Sequence, residues 1–113
     1  MRILFVENHE VFSALVARKF LGEHEVRIVA TLREARASLA ESEFDLVLLD
    51  DQLDDGRGEE LALELRAQGT HPTIIGVSAY EDLNAALVRA GADAACGKLQ
   101  FSQIEALIRS LRN

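Results

Sequence analysis

Five times along the chain a short apolar run gives way to a segment with helical spacing, and this alternation limits the fold more than any other feature. Residues 3–6 predict a buried first strand, ended by Glu7, Asn8 and His9. From Glu10, Phe12, Val16 and Phe20 recur every four positions beside Val11 and Leu15, predicting a helix with one buried stripe that stops at Gly22. Residues 25–30 predict a second strand with Val26, Ile28 and Ala30 on one face. Thr31 and Glu34 then have the spacing of a capping box for a helix carrying Leu32, Ala35 and Leu39 inward. Residues 45–50 form a third strand whose run Leu46, Val47, Leu48, Leu49 has no polar alternation, the mark of a strand covered on both faces. After the turn at Gly56, Arg57 and Gly58, a third helix begins at Glu59, carries Leu61 and Leu65, and ends at Gly69 before Pro72. Residues 73–79 predict a fourth strand ending near Ser78, followed by a helix with Leu83, Leu87 and Ala90 that stops at Gly91. Residues 92–98 read as a weak fifth strand. Ser102 and Glu105 suggest a cap for a last helix with Ile104, Leu107, Ile108 and Leu111. Such alternation demands an α/β fold: a doubly wound, five-stranded parallel sheet with helices on both faces, expected in the order 2-1-3-4-5.

At 113 residues and 49% hydrophobic composition, residues 1–113 are expected to form one domain with no output domain beside it. A net charge of -7 repels polyanions, which argues against direct nucleic-acid binding and against an anionic membrane surface; cations and proteins are the expected partners. No apolar stretch approaches the roughly 20 residues of a membrane span and no signal-peptide pattern opens the chain, so a cytoplasmic protein is expected. Cys96 is the only cysteine and reads as a buried thiol. His9, His24 and His71 lack ligand spacing and are taken as solvent-facing or capping residues.

In the order 2-1-3-4-5 the first and third strands are neighbours, so Glu7, Asn8 and Asp50 should meet at the carboxyl edge of the sheet, with Ser78 and Lys98 completing the rim. Singly, each has a plainer reading. Asp50 could cap a turn, Asn8 could cap the first helix, and Ser78 and Lys98 are ordinary surface types. Together they form a specific set.

That set resembles the receiver domain of two-component response regulators, with its flavodoxin-like fold. Val6, Glu7, Asn8 and His9 resemble a V-D-D-H opening; the stretch from Asp50 to Gly58 is similar to a D-x-x-L-P-D-G-x-G loop; Ser78 with Ala79, and Lys98, fall on the hydroxyl, small and lysine positions. The resemblance implies a stand-alone, phospho-accepting signalling domain rather than a conventional enzyme. It implies that Asp50 takes a phosphoryl group from a histidine kinase or phosphotransfer protein, assisted by Ser78 and Lys98. It further implies Mg²⁺ held by Asp50, Asn8 and the backbone carbonyl of Gln52, with Glu7 acting through water. The signal would pass to a protein target through residues 83–111; the sequence leaves homodimerisation open.

Four positions depart from the family. Asn8 stands for a metal-binding acid, so weak Mg²⁺ binding is expected, with Asp51 or Asp54 compensating in part. Asp54 replaces a proline, Leu99 replaces another, and Ala95 takes an aromatic switch position; Tyr80 is expected either to replace that aromatic or to tune dephosphorylation together with Gln52. The second reading is a degenerate receiver used for phosphate-independent docking or dimerisation. A flavin or nucleotide enzyme is a poorer fit, because Glu7 would repel a phosphate in the first loop.

Overall fold

The computed structural model describes residues 1–69 and 71–112. Five parallel strands, β1 (Arg2–Val6), β2 (Glu25–Val29), β3 (Leu46–Leu49), β4 (Thr73–Ser78) and β5 (Ala94–Gly97), form one sheet in the order β2-β1-β3-β4-β5. The helices between and after them are α1 (Glu10–Phe20), α2 (Leu32–Glu41), α3 (Gly58–Ala67), α4 (Glu81–Ala90) and α5 (Ile104–Arg112). Among the described residues no helix is long and apolar enough to cross a membrane.

Alternation along the central strands divides the core in two. Leu4, Val6, Val47 and Leu49 face a cluster with Leu32, Ala35, Leu61, Leu65 and Leu87, supplied by α2, α3 and α4. Ile3, Phe5, Leu46 and Leu48 face the other side, with Val16 from α1 and Ile104 and Ile108 from α5. On that side Phe5 stacks on Phe101 at 5.8 Å, and Phe12 meets both rings edge-on.

Several expectations need correction. Val11 and Leu15 are 83% and 50% exposed, so the inward face is the Phe12, Val16 and Phe20 stripe with Ser13 beside it. In β2, Val29 joins the core while Ile28 is exposed, because an edge strand between two helical layers has no single buried phase. Thr31 caps α2 as expected, its hydroxyl oxygen accepting from the Glu34 amide at 3.1 Å. Ser102, however, lies inside a 3-10 turn over Lys98–Gln103 that leads into α5, and Glu105 is turned toward the His24 ring instead of back to a cap. The fifth strand is correspondingly short and Lys98 opens that turn. His24 is mostly buried in its pair with Glu105, and His71 packs against Arg66 and the Pro72 carbonyl, so neither is the solvent-facing or capping residue expected.

Candidate functional site

Register brings the site residues together. Val6 pairs with Leu49, so Glu7 and Asp50 each lie one residue beyond the paired strand ends. On the other side Ser78 pairs with Gly97, which places Lys98 directly past it. A crevice of about 610 Å³ opens there, lined by His9, Val11, Phe12, Asp50, Gln52, Ser78, Ala79, Tyr80 and Lys98.

Glu7, Asp50 and Ser78 are nearly fully buried. The Lys98 ammonium lies 2.9 and 3.0 Å from the two Glu7 oxygens and 3.5 Å from Asp50 Oδ2, and it sits 5.1 Å from the Phe12 ring centroid. It is the resident counter-charge of two buried carboxylates. Burial, then the Glu7 charge, push the Asp50 carboxyl up to about 6; Lys98 and the Asp51 amide, which donates to Asp50 Oδ1 at 2.8 Å, oppose that rise. Asp50 is therefore largely ionised near neutral pH. Its Oδ1 is held by backbone and its Oδ2 faces the ammonium.

Ser78 Oγ accepts from the Tyr80 amide at 3.1 Å, which leaves its own proton free to donate into the crevice. The Ser78 carbonyl accepts from Asn84 Nδ2 at 3.1 Å, so α4 fixes the end of β4 from below. Sequence reasoning missed Asn84, because a single amide on a helix gives no sign of being buried. His9 is exposed at the N-cap position of α1, as expected, but sequence reasoning did not foresee that its Nδ1 lies 2.9 Å from Glu7 Oε2 and 3.2 Å from the Lys98 ammonium. Its position two residues past Glu7, before α1 begins, was the available signal.

The loop after Asp50 is more ordered than its composition suggests. Gln52–Leu53 and Gly56–Arg57 pair as a two-stranded antiparallel ribbon, turned through Gly56 at φ 151°. Gly58 follows because the chain passes so close to β3 that a Cβ would collide with the Asp50 carbonyl oxygen. Asp51 is fully buried; its carboxylate accepts from Arg57 Nε at 3.0 Å and from the Glu59 amide at 3.1 Å. It is thereby committed to the start of α3 and is not free to act as the compensating metal ligand. Asp54 points the other way, accepting from Asn8 Nδ2 at 3.4 Å.

The donor set suits a hard divalent cation. Glu7, His9 and Asp50 each offer a ligand atom, all within 4.8 Å of one another, and Asn8 Oδ1 is buried with no hydrogen-bond partner. Carboxylate and amide oxygens of this kind fit Mg²⁺, which prefers oxygen and retains water. Gln52 lines the same crevice.

Comparisons with known proteins agree in one direction. The family described as the response regulator receiver domain matches residues 3–109. Among solved structures, the response regulator TrrA from Thermotoga maritima, in complex with Mg²⁺-BeF, is 26% identical with a TM-score of 0.86, and 97% of each chain is covered. A response regulator receiver domain protein from Methanospirillum hungatei JF-1 is 28% identical at TM-score 0.83, covering 98% of this chain and 93% of that one. The receiver domain of the TMAO respiratory system response regulator TorR is 27% identical at TM-score 0.86, covering 97% and 94%. No curated protein matches the chain.

Proposed function

Because the chain belongs to the response regulator receiver family, we propose that it accepts a phosphoryl group on Asp50 from a phosphohistidine of a kinase or phosphotransfer protein and signals by protein contact. The observation that carries this reading is the buried Asp50 carboxylate, 3.5 Å from the Lys98 ammonium and sharing a crevice with Ser78. An intact acceptor, hydroxyl and ammonium in one crevice favour it over phosphate-independent docking.

Both nucleophile and phosphoryl group are anionic, so the site must neutralise charge and hold geometry. An Asp50 oxygen forms a bond to phosphorus as the phosphorus–nitrogen bond breaks; the imidazole leaves with the electron pair and takes up a proton. Lys98 moves from the carboxylates to a phosphoryl oxygen, and Ser78 donates its proton to another. Ala79 leaves room beside them. Asp50, Asn8 and the Gln52 carbonyl would hold Mg²⁺ directly, with Glu7 acting through water, and the ion when bound would neutralise charge on the transferring group. Loss of a unit charge at Asn8 makes that binding weak. Donation from the Ser78 hydroxyl to a phosphoryl oxygen on Asp50 would tighten the turn to Tyr80 and α4, passing the change to residues 83–111, the face for a downstream protein. Work in the cytoplasm, where phosphohistidine donors act, belongs to the same reading.

Incubation with acetyl phosphate and Mg²⁺, followed by acid quench and intact mass, tests the proposal. The parent should gain one phosphoryl group and Asp50→Ala none. A folded parent that gains nothing at high Mg²⁺ would move the reading to the docking module.

A further inference from the structure

Residues 51–60 contain five acids, and the structure accounts for four of them without any ligand. Asp51 is held by Arg57 and the Glu59 amide. Asp55 accepts the Leu32 and Arg33 amides at 2.8 and 3.0 Å, capping α2, and those bonds hold its carboxyl below the usual range. Glu59 meets Arg57 Nη2 at 2.7 Å, and Glu60 accepts the Arg57 amide at 2.7 Å. Asp54 remains, at the tip of a ribbon that these contacts anchor on both sides, and its hydrogen-bond partner is Asn8.

We propose that Asp54 is a positioning residue for the divalent cation: it locks the Asn8 amide with its carbonyl oxygen as the buried end and returns to the site the negative charge that Asn8 lacks. The inference rests on the receiver reading of the crevice. A carboxylate can only accept, so the Asn8 atom facing Asp54 must be the NH₂ group, and Oδ1 is left at the buried end with no partner. A buried amide oxygen left unpaired is costly, and a cation satisfies it. Asn8 and Asp54 thus divide between them what one acid would do alone: Asn8 supplies the oxygen and Asp54 the charge.

The test uses Mn²⁺ as the probe, with loss of the free-ion electron paramagnetic resonance signal reporting equilibrium binding to metal-stripped protein. Asp54→Asn should weaken Mn²⁺ binding about threefold to tenfold, a modest effect because Asp54 is exposed to solvent. The exchanged pair Asn8→Asp with Asp54→Asn conserves net charge and should bind at least as tightly as the parent. Exposure of Asp54 keeps folding out of the question, and thermal melts confirm it. An Asp54→Asn affinity equal to the parent's, or no Mn²⁺ binding by the parent, overturns the inference. Intact-mass phosphorylation separates it from the receiver reading. Phosphate gain on Asp50 with Mn²⁺ affinity unmoved by Asp54→Asn rejects Asp54 alone, whereas weakened Mn²⁺ binding with no phosphate gain rejects the phospho-acceptor reading alone.

Discussion

Asp50 is held ionised at neutral pH against its own environment. Its folded carboxyl titrates at about 6, against an ordinary value near 4. Between those values the folded state binds more protons than the unfolded one, so stability from this group is fully present below about pH 4 and is lost as pH rises through about 6. Asp50→Asn should therefore stabilise the metal-free protein above about pH 7, by on the order of 1–3 kcal/mol, and the gain should shrink near pH 5. Denaturant melts of both proteins across that range check it; a gain independent of pH would mean that Asp50 is not the strained group. Glu7, Asn8, Asp50, Ser78 and Lys98 were legible in the sequence because each stands where an apolar run ends, and strand ends in a parallel sheet share one edge. Buried Asp51 and Asn84 were not legible, since their burial depends on how a loop and a helix end pack and not on any periodicity.

At the scale of elements, the segment between β3 and α3 is a clamp. The ribbon, the Arg57–Asp51 pair and the Asp55 cap fix it to α2 and α3, and Gly58 lets it lie flat against the Asp50 backbone. Gly58→Ala should destabilise the fold by about 1–3 kcal/mol through overpacking, and should slow Asp50 phosphorylation beyond what the lost folded fraction explains. Rates measured at a temperature where the variant remains folded separate the two effects, and an unchanged rate would show that the Asp50 carbonyl is not held by this contact. While α3 begins at Gly58, one residue before the expected Glu59, the sheet order and the starts of α1 and α2 followed from apolar spacing and the Thr31 cap. The ribbon did not, because two-residue strands carry no alternation to read. The start of α5 did not either, because Ser102 and Glu105 have capping spacing whether or not Glu105 has a better partner in His24.

For the molecule as a whole, the crevice stores uncompensated negative charge in a chain that already carries -7. Any ion that binds the folded form alone stabilises it by mass action, about 1.4 kcal/mol at ten times its dissociation constant. Mg²⁺ should accordingly raise the melting temperature at neutral pH and lose that effect in acid, where protons compete for Asp50. Melts with and without Mg²⁺ across pH give the answer, and an effect of equal size at every pH would place the ion elsewhere on the surface. The two halves of the core, α1 with α5 and α2 with α3 and α4, lie on opposite faces of the sheet.

Tyr80 lines that crevice, is 58% exposed, and is the sole tyrosine in a chain without tryptophan. The protein therefore carries one intrinsic fluorophore for near-ultraviolet excitation, built into the mouth of its own site. Every change in tyrosine emission arises within reach of Asp50, so ions, phosphoryl analogues and partners can be titrated optically on the unaltered chain without a label.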